Sequence, residues 1–295
     1  MRAETAVRAN LPFRPPLDVG ALLAYLRARL VLGVEEIVDG TYRRTLDLEH
    51  GPAVLSLSAP DGGAHLLADL TLSDVRDADA AVATARRIAN LDIDPAAVVA
   101  GLGPHPWLGP LVRMRPGLRA PGQAGGFEVV VRAVLGQQVS LTAACTHTSR
   151  LTASIGTPLP TPDGGLTHLF PTAAQLVHVR EDDGETLAMP AGRRRALIGV
   201  ARAVLGGLDL DGGLEPDEVE RRLLRLPGIG PWTAQYVRMR ALADPDAFCG
   251  TDLVLRRTAE RLGGGPLDPS GREFAPWRTY AAHHLWRHAQ LEVPL

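Results

Sequence analysis

The sequence predicts an α+β fold, with a small antiparallel sheet in the first hundred residues and a mainly helical remainder. Three observations carry this. Strand-like segments separated by turn residues crowd positions 36–70. Beyond Pro95 the strand signal fades and helical periodicity takes over. No self-similarity at a solenoid period is visible, and no apolar run approaches the roughly 18 residues of a membrane span.

Asp18 is placed to cap a helix over 19–30, in which Leu22, Leu23, Leu26 and Leu30 share a face. Strands are expected at 36–39, 42–48, 53–58 and 65–70. The separators Gly40, Gly51-Pro52 and Asp61-Gly62-Gly63 supply turn chemistry, so a short meander is the economical arrangement. A helix over 77–91 closes this unit. Helices follow at 127–137, 141–155, 191–205, 217–225, 232–243, 253–262 and 276–288, while 156–171 is irregular. This divides the chain into an α/β N-terminal domain (1–100), a Pro- and Gly-dense connector (101–126), a helical domain (127–243) and C-terminal helices (244–295) that pack with the connector region.

Composition excludes several chemistries. All 31 basic residues are arginine, and there is no lysine. A Schiff-base enzyme, a pyridoxal-phosphate site and a GxxxxGK[ST] phosphate loop all need a side-chain amine, and only the α-amino group of Met1 could offer one. Two cysteines, Cys145 and Cys249, cannot build a four-cysteine cluster or zinc site, and they suggest no disulfide framework. With no basic-then-apolar signal pattern, a soluble, cytoplasmic protein is the expectation, with no membrane partner. The net charge of −2 is unevenly placed: residues 221–261 hold 8 Arg against 4 acids. That is a weak footprint of a polyanion.

The most informative string is Leu226-Pro227-Gly228-Ile229-Gly230-Pro231-Trp232-Thr233-Ala234. One helix ends near Arg225, a hairpin with glycines at 228 and 230 follows, and Pro231 opens a second helix at a position that needs no N–H. Such a hairpin lets backbone approach a phosphate, with first-turn N–H groups pointing outward, and so grips a strand without reading its bases. An ordinary helix-turn-helix corner is the bland alternative for a lone Gly-x-Gly.

The full string is similar to the hairpin of the helix-hairpin-helix DNA glycosylase superfamily, which continues into a Gly/Pro-rich loop and an aspartate. Here these are Asp244 to Thr251, then Asp252. Further strings resemble the bacterial 3-methyladenine DNA glycosylase II branch: Arg115 to Gly122, Val134 to Ser140, Pro276 to Tyr280 with His284-Leu285-Trp286, and Pro15 to Asp18. The resemblance spans nearly the whole chain and implies two mainly α-helical subdomains, with a cleft between them, behind the sheet domain.

Its implications run residue by residue. Asp252 is the catalytic carboxylate: breaking an N-glycosidic bond builds positive charge on the sugar, which a nearby carboxylate stabilises, and it can orient or deprotonate water. By residue type alone, Asp252 also reads as an N-cap for the helix at 253. Tyr25, Trp232, Tyr236 and Trp286 match the aromatic base pocket, where a cationic alkylated purine gains roughly 0.5–2 kcal/mol per cation-π contact. For Tyr25 and Trp286 core packing is the alternative. Gln138 matches the wedge that fills the gap left by a flipped base. Gly228, Gly230 and Thr233 match the DNA-binding hairpin. The carbonyls of Leu224, Leu226 and Ile229 match a structural monovalent-cation site; no other cofactor is implied. Gln138 and Leu253 depart from the family pattern, which has an apolar wedge and an aromatic at those places.

The missing lysine then narrows mechanism, because bifunctional members of the superfamily use a lysine amine as nucleophile. The expectation is a monofunctional glycosylase in base excision repair. It acts as a monomer on double-stranded DNA, flips alkylated bases of the 3-methyladenine type and hydrolyses the glycosidic bond. A glycosylase for deaminated or oxidised bases, and a catalytically weak lesion-binding module, are the alternatives. His284 and His288 lie four apart without a third ligand and read as structural.

Overall fold

The protein is described by a computed structural model covering residues 4–60, 62–179 and 189–292; Met1 and Asp61 therefore lie outside the described residues. Five strands form one antiparallel sheet: β1 (Thr5–Pro12), β2 (Glu35–Val38), β3 (Thr41–Leu48), β4 (Gly51–Ser58) and β5 (His65–Leu72), in the order β1-β5-β4-β3-β2. β1 is a strand the sequence reading lacked. It lies at the sheet edge, its alternation uses small residues, and only Leu11 is buried, so its hydrophobic signal is faint.

The pairing register places Arg44 opposite Leu55, and Leu55 opposite Leu70. Side chains alternate across a strand, so Arg44 falls on the apolar face between Tyr42 and Leu46. Helices α1 (Val19–Arg27) and α2 (Ala78–Ala89) cover that face, burying Leu22, Leu26, Ala85 and Ile88 against Leu55, Leu57, Leu66 and Leu70. Asp18 caps α1 as expected, accepting the Ala21 N–H at 2.8 Å. The helix ends three residues earlier than expected, because the chain tightens with Arg29 N–H bonded to the Leu26 carbonyl (2.9 Å).

Residues 101–126 are more than the expected connector. They hold the end of α3 (Pro95–Leu102) and all of α4 (Gly109–Met114), short elements whose Pro and Gly content masked their period. Next come α5 (Gly126–Leu135) and α6 (Leu141–Ile155). A second correction concerns 156–171. It contains a small hairpin, β6 (Pro158–Asp163) with β7 (Leu166–His168). Its three prolines argue against a strand, but a two-stranded ribbon has only edges and tolerates them. The hairpin docks on the first sheet: the Thr45 hydroxyl donates to the His168 carbonyl (2.8 Å), and Arg43 pairs with Asp163.

The chain continues through α7 (Ala173–Leu176), α8 (Ala191–Leu205), α9 (Pro216–Leu223), α10 (Pro231–Ala241), α11 (Leu253–Arg261) and α12 (Arg278–Glu292). Two helical cores result. One joins Val130 and Val134 of α5 to Leu197 and Val200 of α8, Val219 and Leu223 of α9, and Val237 of α10. The other joins Val98 and Leu102 of α3, and Val112 of α4, to Leu255 and Ala259 of α11 and to Ala281 and Leu285 of α12. At about 1.5–3 kcal/mol per fully buried aliphatic side chain, each core is held mainly by such contacts. Helix α10 serves both, with Val237 in the first and Met239 in the second, so it runs along the seam between them.

Candidate active site

Asp252 N-caps α11, and its Oδ1 accepts the backbone N–H groups of Val254 (2.9 Å) and Leu255 (3.0 Å). That fixes the side chain on the helix start. Two indoles complete the shell: Trp232 Nε1–H donates to Oδ2 (3.0 Å), and Trp286 Nε1–H donates to Oδ1 (3.3 Å). All four donors are neutral. Among the described residues no guanidinium pairs with this carboxylate, so its charge is oriented without being cancelled. The cap and the charge thus coexist in one side chain.

Asp252 opens into a cleft of about 1600 Å³, walled by α1, the α5–α6 loop, α6, α10, α11 and α12. Trp232, Tyr236 and Trp286 line it. Trp232 and Tyr236, one helical turn apart, stack with centroids 5.0 Å apart and planes within 10°. Tyr25 does not line the cleft. It is buried behind it, with the Arg29 guanidinium 3.7 Å from its ring centroid, because its face of α1 turns toward Arg240 of α10 and the His283 ring of α12. The structure therefore brings Asp252, Trp232, Tyr236 and Trp286 to one cavity and sets Tyr25 in the layer beneath.

Arg240, on the same helical face as Tyr236, is a residue the sequence reading missed. It is buried and donates through Nη1 to the hydroxyls of Tyr25 (2.5 Å) and Tyr236 (2.9 Å), and through Nη2 to the Gly122 carbonyl (2.8 Å) and Gln123 Oε1 (3.1 Å). Its i, i+4 spacing from Tyr236 was a usable signal. Burial pushes the Tyr25 hydroxyl up to about 12, against the pull of Arg240 and Arg29. For Tyr236, burial acts upward too, but Arg240, Arg29 and Arg132 together hold it below its ordinary value. Cys249, which accepts the Asp252 N–H through its carbonyl (2.8 Å), is buried. Burial first, and the Asp252 charge second, push its thiol well up, so it stays protonated and is a poor nucleophile.

Gly228 has φ +86°, and an added Cβ would lie 2.8 Å from the Ala196 Cβ of α8, so the hairpin needs glycine for both conformation and approach. Gly230 has open space around it and precedes the first turn of α10, where Trp232 and Thr233 N–H groups have no intrahelical acceptor. Thr233, expected at the DNA-binding hairpin, is 2% exposed, and its hydroxyl accepts from Gln137 Nε2 (3.2 Å), which also donates to the Gly228 carbonyl (3.0 Å). Gln137 thus ties the α5–α6 loop to the hairpin; nothing in the sequence marked it. Beside it, Gln138 is exposed with φ +58°, at the tip of that loop. Leu224 is exposed, and the Leu226 carbonyl accepts the Ile229 N–H (3.1 Å), closing the turn.

Residues 8–125 match the AlkA N-terminal domain family. DNA-3-methyladenine glycosylase 2 of Escherichia coli K12 is 33% identical over 94% of this chain and 96% of that protein. The chain belongs to the AlkA family. A Mycobacterium tuberculosis relative, described as a probable bifunctional transcriptional activator/DNA repair enzyme AlkA, is 43% identical over 98% of this chain, which spans 58% of that protein's length. In fold, this AlkA-family chain is similar to a 3-methyladenine DNA glycosylase from Archaeoglobus fulgidus, with a TM-score of 0.82 at 17% identity, covering 98% of this chain and 100% of the other.

Proposed function

We propose that this protein is a monofunctional DNA glycosylase of base excision repair. It flips an alkylated base of the 3-methyladenine type from duplex DNA and hydrolyses the glycosidic bond with water. The observation that carries this is the Asp252 carboxylate, held by two indoles and two backbone N–H groups at the wall of an aromatic cleft. The bond to a damaged base breaks toward an oxocarbenium-like sugar, and a fixed, uncancelled carboxylate lowers the energy of that charge. Asp252 also orients the attacking water and takes its proton.

The extruded base stacks on the Trp232–Tyr236 pair and Trp286, with Tyr25 buttressing from behind. Gln138, exposed at the loop tip, fills the gap in the duplex, and the hairpin at Gly228 and Gly230 with the Thr233 backbone binds a phosphate. The Leu226 carbonyl keeps a second lone pair beyond its bond to Ile229. With the carbonyls of Leu224 and Ile229 it would hold a monovalent cation that draws a phosphate to the turn. No side-chain amine exists for an imine, so strand cleavage does not follow base release. A monomer suffices, since one chain supplies every named group.

Free-base release from methylated duplex DNA tests this reading, with borohydride trapping alongside. Release without a trapped covalent complex is expected. Tight, salt-sensitive binding with no release would instead mark a lesion-binding module.

A further inference from the structure

The charged lining of the cleft is one-sided: seven arginines face two carboxylates, Asp252 and Glu260. Not all of these charges count equally. Arg132 donates to Glu35 (3.1 Å) and Glu128 (2.9 Å) and is neutralised locally. Arg29 and Arg240 are different. Arg29 Nη1 donates to the Tyr25 carbonyl (3.2 Å), and Arg240 binds two tyrosine hydroxyls, a carbonyl and an amide oxygen. Every one of these partners is neutral, and among the described residues no carboxylate pairs with either guanidinium. Both guanidiniums approach the Tyr25 ring, at 3.7 Å for Arg29 and 5.0 Å for Arg240. The cation-π capacity of that ring is thus already occupied by the protein.

The same positive charges act on two neighbouring groups. Tyr236 is held below its ordinary value in spite of burial, and His283 is pushed well down by burial, with Arg240 and Arg29 adding to the shift.

We infer that Arg29 is a specificity-determining residue that sets the cleft against cationic bases and in favour of uncharged bases with carbonyl acceptors. This inference rests on the glycosylase reading. A cationic base stacked on Tyr236 meets two uncancelled guanidiniums, with Asp252 and Glu260 as the carboxylates of the lining. An uncharged base pays no such penalty, and its carbonyl oxygen can accept from Arg29. The preference of the enzyme for a cationic lesion then comes from the weakness of its glycosidic bond, with binding acting in the opposite direction. At a separation of about 7 Å and an effective dielectric near 20, one like charge shifts the balance by roughly tenfold or more.

The test is a ratio of single-turnover rates on two duplexes, one with a single 7-methylguanine (cationic) and one with a single hypoxanthine (uncharged). It is measured in wild-type protein and in Arg29→Met, with Arg29→Gln as a second variant. Because the ratio is taken within each protein, differences in leaving group between substrates and in folded fraction between proteins cancel. Removing the charge is expected to move the ratio toward 7-methylguanine by roughly tenfold in both variants. An unchanged ratio, or equal loss on both duplexes with weaker DNA binding, overturns the inference and makes Arg29 a phosphate contact. Wild-type protein that releases neither base overturns the glycosylase reading, and this inference with it.

Discussion

Glu128 and Asp252 are carboxylates placed on helices and supplied with several donors, but the donors differ in kind. Glu128 is buried, taking Arg44 Nη2 (2.8 Å), Arg132 Nη1 (2.9 Å) and Gln123 Nε2 (2.5 Å), while Glu35 shares the same two arginines. Burial alone would raise Glu128, yet Arg44 and Arg132 hold it below the usual carboxylate range. Two carboxylates and two guanidiniums cancel in this network, which rivets the sheet to α5. Asp252 is half-buried and is satisfied by indole and backbone N–H groups alone. Neutral donors orient a carboxylate and leave its field intact; guanidiniums orient it and spend that field on the fold. On the proposed glycosylase reading, the same functional group becomes a structural tie or a reactive centre according to the charge of its donors.

The sharpest challenge to this contrast is Glu128→Ala. It leaves Arg44 and Arg132 in the interior with Glu35 as their one remaining carboxylate, and an uncompensated buried charge costs about 3–5 kcal/mol, read as a lower urea midpoint. A loss near zero would mean that water replaces the carboxylate and that the network is no rivet.

Asp252→Asn comes next. The amide keeps the N-cap, for which Asn and Asp are nearly equivalent, so thermal stability should hold. Base release should fall about 10²–10³-fold, as on removing one electrostatic group from a transition state. Undiminished release would leave Asp252 a cap only.

Buried groups without a counter-charge give the third comparison. Burial, with a smaller push from Arg115, takes the His284 imidazole down from 6.5 to about 4. Between those values the unfolded chain binds a proton that the folded chain refuses. Stability is therefore full above pH 6.5 and is lost as pH falls toward 4, by about 3 kcal/mol at one site. Urea melts at stepped pH check this, and His284→Gln should remove this share of the slope, leaving the share of His283, which burial also pushes well down.

The smallest effect expected is from Trp232→Phe, which keeps the stack on Tyr236 and deletes one donor to Asp252. A hydrogen bond to a charged group is worth about 1.5–3 kcal/mol, partly recovered by solvent at this half-buried site, so release should slow roughly tenfold. An unchanged rate would show that Trp286 and the backbone orient the carboxylate without it.

Much of the fold was legible. The limits of α6 and α8 fall where periodicity and glycine punctuation put them, and Asp18 caps α1 as its residue type suggests. β1 was not, because an edge strand of small alternating residues buries almost nothing that a pattern can register. β6 was hidden by prolines that an isolated ribbon accepts. At the site, Asp252, Trp232, Tyr236 and Trp286 meet in one cavity, whereas Tyr25 lies beneath it, since Arg240 of α10 and His283 of α12, far along the chain, hold its side chain there. Thr233 turned inward toward Gln137, a residue of the α5–α6 loop distant in sequence. Arg29 and Arg240 escaped notice because a buried arginine and a solvated one look alike until their partners are known.

By itself the sequence determined what the protein lacks and what its backbone must do. No lysine means no imine through a side chain, and Pro227 to Pro231 with two glycines dictates a tight hairpin ahead of a helix; both are local or compositional facts that no packing can change. Only the tertiary structure decided which charges are cancelled. Arg44 and Arg132 found carboxylates while Arg29 and Arg240 found neutral oxygens, because electrostatic pairing is settled by distances between residues far apart in the chain.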